Sequence, residues 1–178
     1  MPDFLDLSPP PSPTADLLAV YAEAFDLGGD VERLTASADA VMDGLERALA
    51  AHIGALPRRV ADALRRLGDD PALGRRVDWD AAIAEAERAE DEVRREFASI
   101  AKLLDRHIEL AERVAPTYAR SLRALAGRGR AITDRYAAGL QEIRWALLAL
   151  RAEAHRSERG PVFDSGADLE RHLSGLLD

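Results

Sequence analysis

The sequence predicts an all-α protein: an elongated antiparallel helical bundle with a coiled-coil-like hairpin at its centre and shorter N-terminal helices packed on it. Three observations carry that prediction. Aromatic residues make up only 5 % of the chain and alanine is abundant, a balance that suits close-packed helices better than a sheet, which would draw on more Val, Ile, Tyr, Phe and Thr. Val93, Phe97, Ile100, Leu104, His107, Ala111, Val114 and Tyr118 follow one another at spacings of four and three, which places them on one face of a helix. The stretches on either side repeat this rhythm and contain no convincing strand.

Residues 1–13 read as a disordered Pro-rich tail. Phe4, Leu5 and Leu7 stand among acids, and Ser8-Pro9-Pro10-Pro11-Ser12-Pro13 holds no helix, because each Pro lacks a donor and biases the residue before it to extended geometry. Thr14 or Ser12 then caps a short helix through Leu17, Leu18, Tyr21 and Phe25, ended by Gly28-Gly29. Asp30 caps a second helix in which Val31, Leu34, Ala38, Val41 and Leu45 step by three and four. Gly54 and Pro57 are expected to bound it, leaving 58–67 as a separate shorter helix before Gly68-Asp69-Asp70-Pro71 breaks the chain.

The long helix begins at Asp78 or Asp80, both good N-caps with further acids in the first turns. At Pro116 the apolar spacing stutters, and Pro also deletes the hydrogen bond to the Glu112 carbonyl, so a kink is expected there, with a full break as the alternative. The chain is expected to reverse at Gly127-Arg128-Gly129-Arg130, with Thr133 capping the next helix, although the pattern also continues in register through Ile132, Tyr136 and Ile143. That gives a central hairpin of 78–125 and 131–156 within a bundle domain spanning 14–158. Residues 159–178 form a Gly-Pro hinge and a short docking helix, 165–177, with Leu169, Leu173, Leu176 and Leu177 on one side.

A chain of 178 residues, 47 % of them apolar, buries one sizeable core, so one bundle domain is expected. It has no cysteine, no basic start followed by an apolar run and no long uninterrupted apolar stretch, which points to a cytoplasmic protein without membrane insertion. Lys102 is the single lysine among many arginines, a bias attributed to a GC-rich bacterial genome. The net charge of −8 argues against general affinity for nucleic acid or anionic lipid. The charge is uneven, however: residues up to Asp43 are acidic, whereas 113–135 carry Arg113, Arg120, Arg123, Arg128, Arg130 and Arg135 against Asp134 alone. That basic region, with Tyr118 and Tyr136 as stacking surfaces, supplies an alternative reading as a nucleic-acid contact.

Catalytic and cofactor patterns are sparse, and the expectation is a non-enzymatic protein with no cofactor and no metal. None of the four histidines follows a Glu by three residues, as di-iron bundles require. Glu87 with Glu90 and Glu109 with Glu112 resemble the paired acids of all-α MazG-type nucleotide pyrophosphatases, and that resemblance implies a magnesium-dependent nucleotide hydrolase as a competing function. The further Asp such enzymes usually show is lacking. His107, a polar residue on the apolar stripe, is read as a device that fixes helix register or oligomeric state.

Partner binding remains. Phe4, Leu5 and Leu7 on their Pro-rich leash, and Leu169, Leu173, Leu176 and Leu177 on their hinge, can each insert into a groove on another subunit or fold back in cis. Trp145, beside Leu147, Leu148 and Leu150, marks a stretch apolar on more than one face, suited to a central helix or a subunit interface. The expected function is a self-associating adaptor or accessory subunit of a larger bacterial assembly, with protein partners and a homo-oligomeric state.

Overall fold

The computed structural model describes residues 4–26 and 30–159. Four α-helices make the bundle: α1 (Thr14–Asp26), α2 (Val31–Asp69), α3 (Trp79–Val114) and α4 (Pro116–Arg159), with a short 3-10 helix at Pro71–Arg76. The all-α class is as predicted, and no strand occurs among the described residues. Side-chain caps start the elements where the sequence puts them. Asp30 Oδ1 accepts the Arg33 amide at 3.1 Å, and Asp78 Oδ1 accepts the Ala81 amide at 2.9 Å. Asp70 Oδ1 takes the Ala72 amide at 3.0 Å, and Ser12 Oγ takes the Thr14 amide at 3.3 Å.

Ion pairs between helices give the directions. Arg151 with Asp80 at 2.8 Å, Arg144 with Glu87 at 2.7 Å, and Arg123 with Glu112 ladder α4 antiparallel to α3. Arg128 with Asp39 and Arg135 with Glu46, both at 2.7 Å, run α4 parallel to α2. The chain is therefore an up-down-up bundle of three long helices, and α1 lies between α2 and α3 as a fourth member over one half of its length. Ser37 Oγ donates to Glu23 at 2.6 Å and the Tyr118 hydroxyl donates to the Ala24 carbonyl at 2.6 Å, which ties α1 to α2 and α4.

Four sequence expectations are corrected. The first concerns α2, which runs unbroken through Gly54 and Pro57. Pro57 is exposed and costs only its own bond to the Ile53 carbonyl, while the buried row Leu49, Leu56, Ala63 and Leu67 continues past it and holds the helix in register.

The second is the corner, which falls at Ala115 rather than at Gly127-Arg130. Ala115 has φ −150° and ψ 74°, outside the helical region, because the Pro116 ring bars the residue before it from that region. Pro116 loses nothing as the first residue of α4, since its N–H would have no partner there. What was expected as a kink is a full reversal.

The third follows from the second: α4 is one helix through Gly127 and Gly129, so the hairpin is α3 with α4 rather than 78–125 with 131–156. Thr133 returns its hydroxyl to the Gly129 carbonyl at 2.9 Å instead of capping a new helix.

The fourth is the tail. Residues 4–13 lie on the bundle in continuation of α1: Leu7 is 5 % exposed, with Phe4 and Leu5 half-buried beside it against Leu56, Trp79, Ile83 and Leu147. Asp6 reaches Arg59 at 3.4 Å. The prolines hold this segment extended without a helix's need for internal bonds, so its alternate apolar side chains reach the groove at little entropic cost. The core thus has two parts, one capped by α1 and one by residues 4–13 and the 3-10 helix. Under the latter, Gly74 fits because a Cβ would stand 2.7 Å from that of Ala154, and Trp79 Nε1 donates to the Gly74 carbonyl at 2.9 Å.

Candidate functional site

The buried row of α3 is Val93, Ile100, Leu104, Ile108 and Ala111. It leaves a second row beside it that follows the same helical spacing: Leu103, Leu110 and Val114, respectively 60, 61 and 84 % exposed. From α1, Leu18, Ala22 and Phe25 meet this row across a groove floored by Ile100 and Leu104, with a cavity of about 160 Å³. Phe25 also lines a second, wider cleft of about 500 Å³ that reaches the Ala115-Pro116 corner past His107 and Tyr118. Phe25 borders both the groove and the cleft.

The polar rim of the exposed row is one-sided. By helical geometry Lys102, Arg106 and Arg113 stand on the flank of the Leu103–Leu110 row that faces away from α1, with Glu109 beside them. All three are exposed, and among the described residues none makes an ion pair. Asp105 and Glu112 lie further round the helix, and Glu112 is already engaged by Arg123 of α4.

The predicted site residues are dispersed. His107 is exposed rather than in the seam, because Ile108 takes the buried place; its ring lies on Phe25 with centroids 3.9 Å apart and a tilt of 49°. Tyr118 is anchored through its hydroxyl to Ala24, and burial raises its pKa above the ordinary phenol value. Leu7 belongs to the chain's own core with Phe4 and Leu5 half-buried against it, the fold-back arrangement in cis. Arg120 and Arg130 are exposed on α4, whereas Arg128 is clasped by Asp39, Asp43 and Glu46, and hydrogen bonding to Asp43 raises its pKa further. Trp145 is 65 % exposed on the outer face of α4, remote from the groove. Leu169, Leu173, Leu176 and Leu177 lie outside the described residues.

The arginine-rich stretch therefore does not present one basic face: Arg123, Arg128 and Arg135 are spent on acids of α3 and α2. Three of the four acids of the metal reading are likewise paired, Glu87 with Arg144, Glu90 with Arg94 at 3.2 Å and Glu112 with Arg123, while Glu109 is exposed on α3. No three His, Asp or Glu side chains come together as a metal-binding group among the described residues. No helix among the described residues is long and apolar enough to cross a membrane. The residues that sequence reasoning missed are Leu103 and Leu110. Their signal was present, since each precedes a seam residue by one and the two repeat at a heptad interval.

No protein-family model matches the chain, and no curated protein or solved structure does either.

Proposed function

We propose that the chain is a non-enzymatic interaction module that associates with a second copy of itself through the α1–α3 groove, as an adaptor or accessory subunit of a larger assembly. One observation carries this reading. Of the seven large hydrophobic side chains that are exposed among the described residues, five lie on α1 or on one exposed row of α3: Leu18, Phe25, Leu103, Leu110 and Val114. Single exposed leucines are ordinary, but an exposed apolar row beside an apolar groove, with a charged flank, is what a docking face needs. The covering occupant removes that surface from water, at about 25 cal/mol for each Å² of apolar area.

The reading extends to a bacterial cytoplasmic setting, supported by the cysteine-free composition and the strong preference for Arg over Lys.

Sedimentation velocity of the full chain over a range of concentrations tests the proposal, alone and as Leu103→Asp with Leu110→Asp. Both leucines are exposed, so the variant is expected to keep the wild-type helicity and melting temperature while shifting to monomer. A wild type that stays monomeric at every concentration overturns the reading, as does an oligomer that the variant leaves intact.

A further inference from the structure

We infer that residues 4–13 are a strap that acid releases from the bundle, with His52 of α2 as the group that responds. The strap packs with Leu56, Trp79, Ile83 and Leu147, in the half of the core away from the α1–α3 groove. Geometry places the histidine at the contact. Strap and α2 run antiparallel: Asp6 meets Arg59 at 3.4 Å, the Ser8 backbone lies against the His52 imidazole, and Leu7 between them is buried. There His52 Nε2 is closed to solvent and has no hydrogen-bond partner.

That position suits a neutral ring. One nitrogen of a neutral imidazole carries no proton, and Nε2 can be that nitrogen. The cation protonates both, so it would bury an N–H without an acceptor together with a charge.

Charged groups reach this place from every side. On α2 the adjoining turns hold Ala48, Leu49, Ala55 and Leu56, and Arg59 follows two turns on. The strap brings Asp6, which is 77 % exposed and engaged with Arg59. Across the strap, α3 carries Glu85, Glu92 and Glu96; Glu85 borders Ser8 and Pro9, and Glu96 accepts the Ser12 hydroxyl at 3.5 Å. From α4, which meets α2 on its Ile53 side, the Arg135–Glu46 pair sets the exposed Glu142 level with Ile53. Burial first and the Arg59 charge second hold the His52 pKa below its ordinary value, against the opposite pull of the Ser8 backbone and Asp6.

With the strap away, the ring lies open on α2 and titrates near the ordinary value of about 6.5. The released state therefore takes up the proton more readily than the docked one. Docking is at full strength above about pH 6.5 and weakens as pH falls below it, by at most about tenfold per pH unit for one linked proton.

Trp79 packs in the cluster under the strap, and Trp145 is the other of the two tryptophans, so Trp145→Phe leaves a single reporter. In that background Trp79 emission, its quenching by acrylamide and far-ultraviolet circular dichroism are followed from pH 8 to pH 5 at constant ionic strength. The emission is expected to move to the red and quenching to rise severalfold as pH falls, reversibly and at unchanged helicity. His52→Gln and His52→Leu, neutral at every pH, are expected to stay in the docked condition throughout. Leu7→Asp, which detaches the strap, is expected to show the released signal at every pH. An emission constant from pH 8 to pH 5 overturns the inference, as does a response that persists in the His52 variants or in Leu7→Asp. So does a loss of helicity that accompanies the shift, which would be acid unfolding of the bundle. A strap released at every pH in both His52 variants would make the ring a packing residue and would equally overturn it.

Discussion

The hydroxyl of Tyr21 occupies the space that a Cβ on Gly129 would take, so the side chain from α1 reaches α4 where α4 carries no side chain of its own. Phe97 closes the same spot from α3, with its ring 3.4 Å from that Cβ position. The contact carries two local costs. A glycine inside a helix costs about 1 kcal/mol relative to alanine, and the Tyr21 oxygen is buried without a hydrogen-bond partner, at about 1–3 kcal/mol. Gly129→Ala alone is expected to destabilise by about 1–3 kcal/mol, the usual cost of overpacking. Tyr21→Phe is expected to be neutral or stabilising. The double variant removes the clash and keeps the helix gain, so it should exceed the wild type by about 1 kcal/mol. Urea denaturation of all four proteins measures the coupling, and an innocuous Gly129→Ala in the wild-type background would show that α1 is not seated there.

Alkaline unfolding follows from the same side chain. Burial pushes the Tyr21 pKa up to about 12, only partly offset by the Arg130 charge, and burial raises Tyr136 and Tyr118 in the same direction. In the unfolded chain a phenol ionises near pH 10. The stability tied to the neutral phenols is complete below about pH 10 and is lost as pH rises toward 12, because the unfolded state gives up its protons first. Thermal melts between pH 8 and 12 are expected to show a steep fall above pH 10 and a shallower one in Tyr21→Phe. A variant curve parallel to the wild type would remove Tyr21 from the explanation.

Leu7→Asp is expected to release residues 4–13 from the bundle, since it places an unpaired charge against Leu56, Trp79 and Leu147. The four helices should persist by circular dichroism. The loss should be limited to about 2–4 kcal/mol, because the segment can undock locally instead of unfolding the whole. Protease cleavage within 4–13 and a red shift of Trp79 emission report the release. An unchanged digestion pattern would mean that the segment does not depend on Leu7.

The all-α class and the helix starts at Asp30 and Asp78 were legible in the sequence because they rest on local chemistry: each caps where a carboxylate can reach an amide three residues on. The register of the buried faces was legible only to within one residue. His107 stands where the sequence rhythm calls for a core residue, but Ile108 fills that place, and Met42 rather than Val41 is fully buried in α2. A step of three or four tolerates either choice, and the neighbouring helix decides. The glycines misled for the same reason: Gly129 reads as a turn locally, and only the arrival of Tyr21 shows that it serves packing. Leu103 and Leu110 were visible as leucines one residue before seam positions, but that the neighbouring helices leave them exposed is decided by packing, not by local pattern.

The corner supplies the last prediction. One residue, Ala115, separates two helices of 36 and 44 residues, and the ring of Pro116 keeps it out of the helical region. Pro116→Ala removes that bar and restores an N–H able to bond the Glu112 carbonyl, so a continuous α3–α4 helix becomes accessible. Within one chain the straightened form would expose both cores, and it survives only if two chains trade hairpin arms. The variant is therefore expected to lose about 1 kcal/mol as a monomer and, when refolded at high concentration, to give an arm-exchanged dimer. Such a dimer should persist with Leu103→Asp and Leu110→Asp present, which distinguishes it from association through the groove. If refolding at high concentration yields the same species as the wild type at the same stability, then the corner is held by contacts such as Tyr118 to Ala24 and not by the proline.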